Sequence, residues 1–118
     1  MRQHEHATRH ENQSCIEACV RCAQACEHCE SACLGEHDLE HMTACIHLDH
    51  DCAAICWAAA GFVSRDSRFA QDICRVCAEI CDACGNECRR HKYDHCQACA
   101  EACEQCAEEC RRMSGVAA

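Results

Sequence analysis

CIEACVRCAQACEHCESAC, residues 15–33, decides the fold. Its cysteines stand at 15, 19, 22, 26, 29 and 33, so the steps alternate between four and three. That alternation is the inward seam of a heptad, the face a helix turns toward its partners. Two further stretches repeat it: CRVCAEICDACGNEC with Cys74, Cys77, Cys81, Cys84 and Cys88, and CQACAEACEQCAEEC with Cys96, Cys99, Cys103, Cys106 and Cys110. A fourth, thinner set consists of Cys45, Cys52 and Cys56, and stepping between the first two lands on Leu48 or Asp49. The pattern predicts an all-α protein, an antiparallel up-down-up-down four-helix bundle with a cysteine-lined core.

The breaks between the seams have their own chemistry. Helix 1 is expected from Thr8 or Asn12 to Leu34, with Gly35 as its stop before the acidic, histidine-rich turn Glu36 to Glu40. Asp38 is the expected N-cap of helix 2, which reaches about Ser64, and Asp66 or Ser67 the expected cap of helix 3. Helix 3 should end near His91, and helix 4 should run from Tyr93 or Asp94 to about Met113. No proline interrupts any of them. Alanines flank the seams at Ala18, Ala23, Ala25, Ala32, Ala78, Ala100, Ala102 and Ala107, which lets helices approach closely. The expected organisation is a polar segment 1–11, a bundle 12–113 and a tail 114–118.

Composition explains why the seam must do something other than pack. Of 118 residues, 19 are cysteine and 20 alanine, whereas Leu, Ile, Val and Phe together number 14. A domain of this length ordinarily buries far more aliphatic and aromatic surface. The net charge of −9 opposes nucleic acid and anionic membranes as partners. No apolar run is long enough for a membrane span or a secretory leader, so a cytosolic location is expected. A reducing compartment keeps thiols free, an odd number of cysteines cannot pair fully, and bridges along one helix would be strained.

Residues three or four apart on a helix have Cβ atoms about 5–6 Å apart, so each C-x-x-C or C-x-x-x-C offers two sulfurs to one metal ion. Cysteine can act merely as a small hydrophobe, but its selection over Ala, Val or Leu along whole seams has no packing rationale. Thiolate-rich sites select Cu(I), Zn(II) or iron–sulfur clusters. A tetrathiolate zinc site keeps a net charge of −2, which is costly to bury repeatedly. Cu(I) at about one per thiolate is neutral, and iron–sulfur ligands usually come from loops. Zn(II) or Cd(II) sequestration by the same thiols is the alternative reading.

The three quoted stretches resemble the four-helix-bundle copper storage proteins over about residues 15–113. The resemblance implies many Cu(I) ions along the core, with all nineteen cysteines as ligands. It implies membership of the cytosolic group, and a homotetramer.

In an antiparallel bundle, Trp57, Phe62, Val63, Phe69 and Ile73 gather at one end, where a hydrophobic plug is expected. The other end gathers Cys33, His37, His41, Met42, Cys45, Cys88, His91, His95 and Cys96. His37 continues the first seam, His41 and Met42 precede Cys45 by four and three, and His91 follows Cys88 by three. Imidazole and thioether are copper ligands, so this end is the expected entrance, although a histidine at a helix end is more often solvated or capping. Asp49 can complete a copper site in the helix 2 gap or face a neighbouring chain, and its place in the seam favours the first. His28, His47 and His50 are read as solvated, and His4, His6 and His10 as solvated in preference to weak metal binding. Delivery of copper by a chaperone or a small thiol is the implied supply. An enzyme is not expected: no Glu-x-x-His di-iron motif, Gly-rich phosphate loop or strand pattern is present. A chaperone or sensor would need one or two sites.

Overall fold

The computed structural model describes residues 2–115, with side chains from residue 11 onward. It contains α1 (Arg2–Leu34), α2 (Leu39–Ser64), α3 (Ala70–Arg89) and α4 (Asp94–Ser114), and no strand among the described residues. Each helix packs against the next, and α4 closes the ring against α1. Short connections make every neighbour antiparallel. The result is a rod of 56 × 23 × 21 Å, whose length suits a 33-residue α1 at about 1.5 Å per residue.

The helix ends follow from local chemistry, and several differ from expectation. α1 begins at Arg2 instead of Thr8 or Asn12, because residues 2–14 hold no glycine or proline to break it. Ser114 is the last residue of α4, and residues 116–118 of the expected tail lie outside the described residues. Asp38 does occupy the N-cap of α2, but its side chain makes no cap bond and instead accepts a hydrogen bond from the Tyr93 hydroxyl at 2.8 Å. α4 stops at Gly115, whose φ of 79° provides the left-handed turn.

Asp66 does not cap α3, and Ser67 accepts the Phe69 N–H at 3.1 Å just before that helix begins. Asp66 has φ 55°, its N–H bonds the Val63 carbonyl at 3.0 Å, and the Ser67 N–H bonds the Phe62 carbonyl at 3.0 Å. Those two bonds form a Schellman closure of α2, with Asp66 in the left-handed position that glycine favours. α3 then begins at Ala70 with Phe69 as its cap. Asp66→Gly should therefore stabilise the bundle by about 0.5–1 kcal/mol, read as a higher urea midpoint at constant slope. An unchanged midpoint would show that the aspartate is unstrained there.

Burial follows the seam closely. All nineteen cysteines are 0% exposed. The plug end is smaller-bodied than expected: Trp57 and Phe69 are exposed, Phe62 and Ile73 are half-buried, and Val63 alone of that set is buried. Trp57 follows the seam residue Cys56, so it points outward, where its indole N–H donates to Glu27 at 2.7 Å. Ala59, Ala60, Val63 and Ala70 continue the seams and close the core. At Gly85 the backbone of α3 comes so near α4 that a Cβ would lie 3.3 Å from the Cys103 Cβ.

Candidate metal centre

A heptad seam on each of four helices aims every cysteine at one axis, so sulfurs from different helices meet level by level. Toward the plug, Cys19, Cys77, Cys106 and Cys110 form one group. Cys22, Cys52, Cys56 and Cys81 form the next, and Cys22 and Cys52 are shared with Cys26 and Cys103. Cys26, Cys84, Cys99 and Cys103 follow, and Cys29, Cys33, Cys45 and Cys96 lie nearest the mouth. Within each group the sulfurs all stand within 4.8 Å of one another. Sharing in the middle, with contacts from Cys56 to Cys77 at 3.7 Å, Cys84 to Cys88 at 4.0 Å and Cys88 to Cys45 at 3.5 Å, makes the groups a continuous column. Even diagonal helices touch through sulfur, with Cys52 at 4.0 Å from Cys103 and Cys56 at 3.7 Å from Cys106. Cys15 and Cys74 are buried at the plug end, and all nineteen cysteines are free thiols.

The spacing suits a soft metal. With a metal–sulfur bond of about 2.3 Å, three thiolates around one ion stand about 4.0 Å apart and two in line about 4.6 Å. Neighbouring sulfurs stand 3.5 Å apart at Cys45 and Cys88 and 4.0 Å apart at Cys84 and Cys88. Loading therefore requires little backbone movement. Burial pushes the thiols of Cys33 and Cys96 up, the latter to about 12, so these two mouth thiols hold protons that an incoming cation must displace.

Helix 2 fills its gap with Asp49, the one buried charged or polar residue among those described; Leu48 beside it is half-buried. Oδ1 accepts from the thiols of Cys84, Cys99 and Cys88 at 3.3, 3.4 and 3.5 Å, and Oδ2 lies 3.8 Å from the Cys45 sulfur. Burial, with the sulfur of Cys99 next, pushes this carboxyl up to about 8. At neutral pH it is therefore mostly a neutral acid among thiols.

At the mouth the structure separates residues that look alike in sequence. His95 reaches the column: Nδ1 is 3.5 Å from Cys29 Sγ, 3.6 Å from Cys96 Sγ and 3.9 Å from Cys33 Sγ. Its Nε2 pairs with Glu36 at 2.9 Å, and its ring stacks on Tyr93 at 5.4 Å between centroids. Met42 is fully buried. His91 is half-buried, with Nε2 at 2.8 Å from Glu87. His37 and His41 are exposed beside the opening. His28, His47 and His50 are exposed on the outer surface, where His50 pairs with Glu30 at 3.0 Å. The side chains of His4, His6 and His10 lie outside the described residues. Sequence reasoning missed Glu36, Asp38 and Tyr93 as parts of the mouth.

A family model described as copper storage protein matches residues 8–115. The uncharacterised cysteine-rich protein YhjQ of Bacillus subtilis is 52% identical over 83 residues, which are 70% of this chain and 77% of the relative. The Cu(I)-bound copper storage protein BsCsp3 has 51% identity and a TM-score of 0.85, covering 88% of this chain and 98% of its own. A cytosolic copper storage protein from Streptomyces lividans, solved during copper loading with five coppers, has 40% identity and a TM-score of 0.89 over 95% of this chain and 98% of that one. Among the described residues, no helix is long and apolar enough to cross a membrane.

Proposed function

Because the chain belongs to the copper storage protein family, we propose that it holds many Cu(I) ions in the cytosol, on the order of one per thiolate. Its role is to buffer and detoxify copper. The observation that carries this reading is the column itself: nineteen unexposed thiols, with neighbouring sulfurs from Cys19 to Cys110 at 3.5 to 4.0 Å.

Charge selects the ion. Among the described residues no cation is buried alongside the thiols. Successive tetrathiolate zinc sites, each with a net −2, would therefore lack compensation in a dry core. A Cu(I) thiolate lattice is neutral and can be buried. Zn(II) or Cd(II) sequestration is accordingly not favoured.

The cysteines, from Cys15 to Cys110, are the storage ligands, and bundle residues 12–113 are the storage unit. Asp49 serves as an oxygen ligand where α2 lacks a thiol, and Met42 as a thioether ligand near the opening. His95 is the uptake ligand beside Cys29, Cys33 and Cys96, with His91, His37 and His41 offering outer nitrogens. Copper passes inward by ligand exchange, since neighbouring sulfur groups either share members or stand within 4.0 Å of one another, as Cys56 does to Cys77 and Cys88 to both Cys84 and Cys45. A copper chaperone or a small thiol supplies the ion, and the working assembly is a homotetramer. Nothing in this chemistry requires turnover, so the chain is a store and not an enzyme.

Anaerobic titration of the reduced chain against a competing Cu(I) chelator should saturate near the thiol number. About one proton should be released per ion, because the protonated thiols must become thiolates. Zn(II) should saturate near a quarter of that number. Saturation at a handful of Cu(I) ions would refute bulk storage, and uptake without proton release would refute thiolate ligation.

A further inference from the structure

His95 is the mouth histidine whose ring lies against the sulfur column, and the turn between α1 and α2 decides how that ring is presented. A carboxylate can only accept a hydrogen bond, so Nε2, 2.9 Å from Glu36, carries the ring hydrogen. The neutral ring then keeps its lone pair on Nδ1, the nitrogen that faces Cys29, Cys33 and Cys96. The same turn holds the ring a second way. Asp38 accepts from the Tyr93 hydroxyl at 2.8 Å, and Tyr93 stacks on His95 with the planes 5° apart. The hydrogen bond pushes the phenol of Tyr93 up to about 12, so it remains a donor.

We propose that Glu36 is a positioning residue for copper uptake, fixing His95 in the Nε2–H tautomer so that Nδ1 meets each incoming Cu(I) beside Cys29, Cys33 and Cys96; Asp38 assists by anchoring Tyr93. The inference rests on the storage reading above and adds a residue that touches no copper. A partner that fixes a ligating histidine typically contributes about 10–100-fold to metal affinity or rate. Here the contribution falls on loading rate, because the column behind the mouth is unchanged. Once inside, copper is held by sulfur, so the final amount stored does not depend on Glu36.

Two measurements on the full chain test this. In metal-free protein, ¹⁵N-detected histidine spectra should give His95 as the Nε2–H tautomer, and Glu36→Ala should give a mixture of both tautomers. In stopped-flow mixing with a Cu(I)–acetonitrile complex, followed by copper–thiolate absorption, His95→Ala should slow loading, and Glu36→Ala should slow it about tenfold at unchanged final copper. In the His95→Ala background, Glu36→Ala should add nothing. The inference is overturned if Glu36→Ala leaves the tautomer or the rate as in wild type. It is equally overturned if the two substitutions slow loading independently, or if His95→Ala has no effect. If wild type takes up no copper, the storage reading falls, while the ring spectra still decide whether Glu36 sets the tautomer.

Discussion

Saturation with Cu(I) should raise the melting temperature of the bundle by at least about 30 °C. The metal-free core is built from Cys and Ala, with Val63 and Met42 among its few larger apolar side chains, so dispersion and apolar burial hold it together only modestly. An ion that binds the folded chain alone stabilises it by about 2.7 kcal/mol at a hundredfold excess over its dissociation constant. For a chain of this size, each kcal/mol moves the midpoint by roughly 3–5 °C. Three or four ions therefore suffice, and the column offers sites for many more. The gain also has a structural source: groups such as Cys22, Cys52, Cys56 and Cys81 draw ligands from α1, α2 and α3, so a bound ion ties separate helices together. Circular dichroism melts of reduced metal-free and copper-saturated protein measure the shift, and stripping copper with a strong Cu(I) chelator should restore the lower transition. A shift under about 10 °C would mean that copper sits where folding does not matter. A metal-free chain without helical signal would mean that the column is assembled by copper and not before it.

Most of this architecture was legible in the sequence because one periodicity governs three helices. The alternating steps in α1, α3 and α4 place Cys15 to Cys33, Cys74 to Cys88 and Cys96 to Cys110 on inward faces, and each of these is buried. Asp49 also fell in register, but its four thiol neighbours come from three helices and leave no local mark. Asp66 misled because aspartate suits a helix start and a left-handed helix end alike, and only the backbone dihedral distinguishes them. Trp57 and Phe69 drew attention as large apolar residues when their register, one step off the seam, already placed them outside. His91 and His95 carry the same sequence signal. His95 touches sulfur because α4 starts beside the end of α1, and its partner Glu36 lies 59 residues away.

Replacing Asp49 by asparagine should flatten the pH dependence of metal-free stability between about pH 4 and pH 8. The carboxyl is held near 8 by burial, against about 3.9 in an unfolded chain. The folded state thus keeps a proton that the unfolded state gives up, and stability contributed by the neutral acid is complete below about pH 4 and is lost as pH rises toward 8. The full span is on the order of 5 kcal/mol, a large share of what a small domain possesses. Buried thiols such as Cys96 add a second decline at higher pH, since their protons too are held more tightly in the fold than in the unfolded chain. Asparagine preserves the shape and the oxygen that Cys84, Cys88 and Cys99 address, yet has no proton to lose. Urea unfolding of reduced protein from pH 4.5 to 9.5 should therefore show two declines in wild type and only the upper one in Asp49→Asn. A variant that keeps the lower decline would assign it to other groups and would place the Asp49 carboxylate, charged, among the thiols at neutral pH. The same neutral acid must give up its proton to bind Cu(I) through oxygen, so copper reaching this level should release one proton beyond those of the thiols, and Asp49→Asn should lack that extra proton.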